Sequence, residues 1–183
     1  GVTLMAQELP YSKAMSNLGT ETAFEILTMA KELEKKGAKV IHLEIGEPDF
    51  DTPDHIKEAA MKALRAGYTH YTPAPGILEL RQAISEKVSK EIGIDVDPNR
   101  EVIVMPGAKP GLFTGILSTI NPGEEVVIPD PGFPIYRSVV EFIGAAAVSI
   151  PLKEEKNFRM DPEDVRRKVT ARTKMLILNS PHN

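Results

Sequence analysis

The chain has 183 residues, of which 42% are hydrophobic and 26% charged, proportions typical of a globular protein that buries a core. Its net charge of −4 provides no excess of basic side chains for nucleic acid or an anionic membrane surface. The sequence has no cysteine, which excludes disulfides and thiolate chemistry within it. No apolar run approaches the roughly 20 residues that a transmembrane helix needs. We therefore expect a soluble, cytoplasmic protein without nucleic-acid or membrane partners.

The N-terminal region is predicted to be an arm followed by a helix. Residues 1–19 have no firm periodicity, whereas 20–37 begin with the capping residue Thr20 and end at Gly37. Within this helix four apolar residues recur at the spacing of one helical face. They are Ile26, Met29, Ala30 and Leu33. We expect this face to be buried in the core.

A strand and two helices are predicted next, separated by two irregular loops. The strand covers 39–46, and the helices cover 54–67 and 77–93, each ending at a glycine. Proline and glycine mark both loops, "GEPDFDTP" and "THYTPAPG".

From about residue 100 the sequence alternates between apolar strands and helices. Four strands are predicted, at 101–106, 124–131, 145–152 and 173–180. Three helices lie between them, at 107–120, 132–144 and 161–169. Continuously apolar strands that alternate with helices are typical of a parallel sheet with helices on both faces. The predicted fold class is α/β with a mostly parallel sheet, preceded by the N-terminal arm and helices.

The loops that follow these strands are candidates for a binding site, because ligands of open α/β sheets bind at the carboxyl ends of the strands. In "PGAKPGL", Gly107, Ala108 and Lys109 lie where a strand becomes a helix. Backbone N–H groups at a helix N-terminus attract phosphate or carboxylate groups. A tight turn that needs small residues is the alternative interpretation of this segment.

Two further loops carry side chains that suit a planar ligand. Phe133 in "DPGFPIY" could stack on such a ligand, or simply pack against the next helix. Asn183 in "NSPHN" could donate a hydrogen bond to a ring oxygen of the ligand, or cap a turn. Both alternatives remain open from the residues alone.

The loop "EIGEPDFDTP" contains three carboxylates but does not indicate a metal site, since prolines stiffen it and the histidines of the chain are scattered. We expect no metal ligands. Gly46 has a different use, because a residue without Cβ lets a ligand approach the backbone closely.

Taken together, these segments occur in one order over nearly the whole chain, from about residue 20 to the end. They are "IGEPDFDTP", "YTPAPGILELRQAI", "PGAKPGL", "PDPGFPIY" and "NSPHN". This set resembles the N-terminal portion of class I/II aminotransferases, which are pyridoxal-phosphate (PLP) enzymes of fold type I. It most closely resembles the prokaryotic and archaeal aspartate aminotransferase branch.

The resemblance implies that several of the candidate residues bind the cofactor phosphate. The backbone N–H groups of Ala108 and Lys109 would hold the phosphate, and Gly107 would shape the turn. Tyr71 would reach across a homodimer interface to the phosphate in the other subunit.

The resemblance also implies roles at the cofactor ring and the substrate. Phe133 would stack on the pyridine ring, and Asn183 would hydrogen-bond its phenolic oxygen. Gly46 would offer its N–H to the substrate α-carboxylate, and Lys109 would lie near a distal carboxylate, which favours aspartate or glutamate.

In that family the chain continues with "PTG", an aspartate for the pyridinium nitrogen and the Schiff-base lysine. We therefore expect the Schiff-base lysine beyond Asn183, no catalytic residue in this segment, and an inactive segment without the remainder of the same polypeptide. Residues 1–45 would form the arm and helix of the small domain, and 46–183 the first part of the large PLP-binding domain.

The predicted function is that of the N-terminal segment of an aminotransferase that moves an amino group between an amino acid and a 2-oxo acid. A PLP-dependent lyase or synthase of the same fold is one alternative, because fold does not decide reaction type. A truncated, non-catalytic binding or dimerisation module is another. A Rossmann nucleotide enzyme is disfavoured by the glycine spacing of "PGAKPGL".

Overall fold

The computed structural model describes residues 11–19 and 22–183. The first ten residues of the predicted arm and the Thr20 cap lie outside these ranges. The chain divides into two compact units. The first unit comprises residues 1–40 and 109–183, and the second comprises residues 41–108. No helix in the described residues is long and apolar enough to cross a membrane.

The described residues form six α-helices, two short 3-10 helices and three strands. The α-helices are α1 Thr22–Lys35, α2 Asp54–Arg65, α3 Leu78–Ile92, α4 Ala108–Thr119, α5 Ile135–Phe142 and α6 Pro162–Lys168. The 3-10 helices are Lys13–Asn17 and Glu154–Lys156. The strands are β1 Glu125–Asp130, β2 Ala146–Pro151 and β3 Thr173–Leu176.

The three strands form one parallel sheet in the first unit, with the order β2-β1-β3. β1 is central and pairs Val126 with Ala147 of β2 and with Met175 of β3. Its first five residues are all buried, as expected of a strand that has neighbours on both sides. The predicted α/β class with a mostly parallel sheet is confirmed.

The core of the first unit lies between β1 and the two helices α4 and α5. Val126 and Ile128 point to the same side of β1 because side chains alternate along a strand. They pack in one cluster with side chains from both helices and from Ile120, which directly follows α4. These side chains are Ile116, Ile120, Tyr136, Val139 and Val140. Burial of each such side chain contributes about 1.5–3 kcal/mol to folding.

Two predicted strands are absent: residues 39–46 and 101–106 do not form strands. A strand needs a hydrogen-bonded neighbour, which an apolar run by itself does not provide. Val104 donates its N–H to the carbonyl of Pro75, which belongs to a loop. Ile41 and Leu43 are largely exposed. The apolar runs were therefore correctly recognised, but their assignment to strands was wrong.

The apolar face of α1 also differs from the prediction. Ala30 is buried, but Ile26, Met29 and Leu33 remain 50%, 64% and 50% exposed. The periodicity correctly predicted a helix, since it reports which side of the helix is apolar. It does not report what packs against that side, and the assignment of the whole face to the core is wrong for the described residues.

In the second unit, the buried side of α3 is polar. Arg81 and Ser85 are buried, one helical turn apart, while Leu78 and Leu80 are partly exposed. The Ser85 hydroxyl donates to the carbonyl of Val96, and the Ser89 hydroxyl accepts from the Val96 N–H. Side chains of α3 therefore satisfy the backbone of the loop that follows it.

Candidate functional site

The segment "PGAKPGL" forms the predicted turn into a helix. Gly107 has φ +99°, a left-handed conformation that favours glycine, and its N–H donates to Met105 O at 2.8 Å. α4 begins at Ala108, so the amides of its first turn have no partner within the helix. This turn contains no acidic side chain that would repel an anion, and Gly107, Ala108 and Lys109 are exposed. The geometry suits a phosphate or carboxylate group.

In the first unit, Phe133 lies on the loop that follows β1. Its ring meets the buried Tyr136 edge to face, with ring centroids 5.9 Å apart. The Lys109 ammonium lies 5.7 Å from the centroid of the Phe133 ring, within the range of a cation–π contact. Phe133 also packs against the core cluster while remaining half-buried. The two interpretations of this ring, stacking and packing, are therefore compatible.

Asn183 lies on a loop that is linked to the Phe133 loop. His182 Nε2 lies 3.0 Å from Pro131 O, a distance at which its N–H donates to that carbonyl. The Asn179 side chain, in the orientation that satisfies both of its polar groups, accepts from the Asn183 N–H at 2.8 Å. It donates to Pro181 O at 3.2 Å. Asn179 thus fixes the backbone of the residue proposed to contact the cofactor ring.

A cavity of about 240 Å³ lies at the carboxyl end of β1, the edge at which open α/β sheets bind ligands. Phe133 and Asp130 line it, together with Gly19, whose carbonyl accepts from Ser138 Oγ at 3.1 Å. Arg137 lines it as well and is paired with Glu141 at 3.0 Å. This cavity provides the first unit with a concave polar and aromatic surface.

The second unit contains the other candidate residues, Gly46, Tyr71, Gly107 and Ala108. Gly46 is exposed, and a Cβ added there would have no atom within 4 Å, so its backbone is open to a ligand. Tyr71 is fully exposed and lines a cavity of about 270 Å³ with Tyr68 and His70. The roles of all these residues stay predictions.

Asn179 and Arg81 were not singled out in the sequence, but both hydrogen-bond the backbone of loops near candidate residues. Asn179 stands two residues before a proline, where asparagine often bonds its own backbone, and this signal could have identified it. Arg81 gave no such signal, because its partners are 5 and 17 residues away along the chain.

A parallel sheet with an aromatic ring and a cavity at the carboxyl end of its central strand defines the class of open-sheet α/β folds, in which ligands bind at that edge. Comparison with known proteins gives the family. Residues 38–183 match the model of aminotransferase class I and II, and the chain belongs to this family. The resemblance found in the sequence is confirmed. Members of this family are PLP-dependent.

Several curated relatives are similar over most of the chain. It is 46% identical over 169 residues to a probable aspartate/prephenate aminotransferase of Aquifex aeolicus, a match that covers 92% of this chain and 43% of the relative. It is 48% identical to an aspartate aminotransferase of Pyrococcus abyssi over 79% of this chain and 37% of that one. The chain thus spans less than half the length of these relatives.

Solved structures agree with this assignment. The aspartate aminotransferase of Thermus thermophilus with maleate superposes with a TM-score of 0.89 at 40% identity, over 96% of this chain and 46% of that one. An alanine aminotransferase from Pyrococcus furiosus gives a TM-score of 0.87 at 35% identity, over 94% and 45%. The incomplete α/β fold of this chain therefore corresponds to part of an aminotransferase.

Proposed function

We propose that the polypeptide containing this segment is a PLP-dependent aminotransferase that moves an amino group between an amino acid and a 2-oxo acid. The observation that carries this proposal is the family match over residues 38–183, which contains every candidate site residue. Aspartate or glutamate is the proposed amino donor. Several relatives are named as aspartate aminotransferases, and this supports the choice of donor.

The residues present fit the cofactor phosphate. The exposed first turn of α4 without acidic side chains, preceded by glycine at positive φ, is suited to a dianion. We propose that the Ala108 and Lys109 N–H groups donate to the phosphate, with Gly107 shaping the turn. The exposed Tyr71 would donate its hydroxyl to the phosphate in the partner subunit of a homodimer.

The residues of the first unit fit the cofactor ring. We propose that Phe133, held edge to face by Tyr136, stacks on the pyridine ring. Asn183, whose backbone N–H is held by Asn179, would donate its amide to the phenolic oxygen. When bound, PLP supplies an electron sink that stabilises negative charge at the substrate Cα.

Two residues are proposed to orient the substrate. The Gly46 N–H would bind the α-carboxylate, since nothing near its Cα obstructs a ligand. The Lys109 ammonium would lie near the distal carboxylate of a dicarboxylic substrate. Both contacts fix the substrate without moving a proton.

Proton transfer at Cα is proposed for a Schiff-base lysine beyond Asn183, so this segment by itself should be inactive. The greater length of the relatives supports this. We further propose that residues 1–45 belong to the small domain and 46–183 to the large domain of a cytoplasmic homodimer. A lyase or synthase is not favoured, because the relatives named above are aminotransferases.

The test is the absorbance of the full-length protein after addition of PLP. A near-ultraviolet or visible band of bound cofactor that changes on adding aspartate, with formation of the 2-oxo acid, is the expected result. Lack of PLP binding would contradict the proposal and favour a non-catalytic module. Release of ammonia from aspartate by the cofactor-bound protein, without transfer of its amino group to a 2-oxo acid, would instead favour a lyase.

A first prediction concerns Phe133. Phe133→Ala should weaken PLP affinity by about 0.5–1.5 kcal/mol, the contribution of an aromatic contact beyond its area. Phe142→Ala is the matched control, because Phe142 is also half-buried and pairs with another aromatic ring, Phe113. Equilibrium binding measures both variants. Equal losses of affinity would show that Phe133 only packs.

A further inference from the structure

Arg81 is a buried cation whose hydrogen bonds go to backbone carbonyls. The residue is 8% exposed, in the first turns of α3. Its Nε donates to Gly76 O at 3.1 Å, and its Nη1 donates to Pro98 O. Burial of a charge is costly unless hydrogen bonds compensate for the lost water. The side chain therefore holds together two loops that lie on either side of α3.

The first of these loops carries Tyr71. It ends in a turn that begins at Pro73, two residues after Tyr71. In this turn the Gly76 N–H donates to Pro73 O at 2.8 Å. Gly76 has φ +96°, and a Cβ there would lie 2.7 Å from the Val104 side chain. The turn thus packs so closely against Val104 that only glycine fits.

The second loop leads to the proposed phosphate-binding turn. Val104 lies three residues before Gly107, and its N–H donates to Pro75 O at 3.0 Å. A single junction therefore connects the loop of Tyr71 to the backbone that enters Gly107 and Ala108. We call it the Arg81 junction, and it consists of Pro75, Gly76, Arg81, Pro98 and Val104.

We propose that Arg81 is a positioning residue for the cofactor phosphate, which it does not touch. By bridging Gly76 O and Pro98 O, it fixes both the loop of Tyr71, which would reach the phosphate in the partner subunit, and the backbone that leads to the Gly107–Ala108 amides, which would hold the phosphate of its own subunit. This inference rests on the proposed function. A guanidinium is needed because its planar fork reaches two carbonyls at once, whereas an ammonium is a single point charge.

The experiment compares two ligands that differ only in the phosphate. Apo full-length protein is titrated with pyridoxine 5′-phosphate and with pyridoxine, neither of which has the aldehyde that could react with a lysine. Arg81→Lys should displace one of the groups that hydrogen-bond the phosphate. Loss of that charge-assisted hydrogen bond should weaken binding of the phosphorylated ligand about tenfold and leave pyridoxine affinity unchanged. Arg100→Lys, an exposed site in the same unit, is the matched control and should change neither.

A double-mutant cycle with Tyr71→Phe adds a readout that a merely structural role would not change. If Arg81 positions Tyr71, loss of the hydroxyl should cost less affinity for pyridoxine 5′-phosphate in the Arg81→Lys background than in the wild type. Additive losses, or equal weakening of both ligands, would overturn the proposal. Wild-type protein that does not distinguish the two ligands would instead overturn the proposed function.

Hydrogen exchange of the wild type keeps the test decisive if Arg81→Lys fails to fold. Pyridoxine 5′-phosphate, but not pyridoxine, should slow exchange of the Val104 N–H at the junction. The Val96 N–H, which is bonded to Ser89 Oγ in the same unit, serves as the internal reference and should be unaffected. Identical Val104 exchange with the two ligands would contradict coupling between the junction and the phosphate.

Discussion

The two units of the chain have interiors of different chemistry. In the first, β1 is buried among the aliphatic and aromatic side chains of α4 and α5. In the second, the buried side of α3 carries Arg81 and Ser85, whose partners are backbone carbonyls of loops. The first interior is stabilised chiefly by removal of apolar surface from water, whereas the second combines apolar burial, as at Val102, with directed hydrogen bonds.

This difference suits what the two units are proposed to do. An apolar core tolerates small shifts of its side chains, whereas a hydrogen bond fixes the position of a particular loop. The second unit carries the exposed Gly46, Tyr71, Gly107 and Ala108, which are proposed to place backbone groups or, for Tyr71, a hydroxyl against a ligand. Substitutions in each interior test whether this difference holds.

The largest effect is expected in the apolar core. Ile116→Ala removes a side chain that is 2% exposed and should lower the free energy of unfolding of the full-length protein by about 2–5 kcal/mol. Leu117→Ala is the matched control in the same helix. Its side chain is 52% exposed, and its loss should cost less than about 1 kcal/mol. Denaturant unfolding measures both, and similar losses would show that exposure in this helix does not determine stability.

A smaller effect is expected in the polar interior. Ser85→Ala removes the donor to Val96 O and should lower the free energy of unfolding by about 1 kcal/mol relative to Ser118→Ala. Ser118 is the control because it is exposed and its hydroxyl bonds to Gly115 O within its own helix. Both substitutions raise helix propensity similarly, so the difference isolates the hydrogen bond. If Ser85→Ala is no more destabilising than Ser118→Ala, the polar interior contributes little.

The first interior could be predicted from the sequence, and the second could not. The predicted strands that became β1, β2 and β3 are largely apolar runs, and each pairs with a neighbour in the sheet. The runs at 39–46 and 101–106 have similar composition but form no strand, because pairing depends on distant parts of the chain. For α1, too, the sequence does not show tertiary contacts. Its periodicity identifies an apolar face but does not show whether any other segment packs against Met29, which is 64% exposed.

The candidate site shows the same division. Gly107, Lys109 and Phe133 were predicted because the residue type and its place at the end of a predicted strand were both visible in the sequence. Asn179 hydrogen-bonds the backbone of its own loop, a local pattern that the sequence could have shown, whereas Arg81 hydrogen-bonds the backbone of two other segments. In the sequence, the arginine of "LELRQ" looks the same as an exposed arginine on a helix surface. Only the fold places it beside Pro98 O.

The last prediction concerns acid stability of the first unit, where one carboxylate lies at the start of β1. Glu125 is 4% exposed, and it accepts hydrogen bonds from Thr170 Oγ1 at 2.6 Å and Thr173 Oγ1 at 3.0 Å. Arg172 forms an ion pair with it at 2.6 Å. The Thr170 hydrogen bond, followed by those from Thr173 and the Arg172 charge, lowers the pKa of the Glu125 carboxyl below its usual 4.5.

Because this pKa is lower in the folded than in the unfolded state, the folded state binds the proton less tightly. The stabilisation by Glu125 is therefore fully present above pH 4.5 and is lost as the pH falls from 4.5 through the lowered value. Unfolding free energies measured from about pH 6 down to pH 3 should fall less steeply for Glu125→Gln than for the wild type. Thr170→Val removes the largest contribution to the shift and should flatten the dependence in part. An unchanged slope in Glu125→Gln would show that groups other than Glu125 control acid stability.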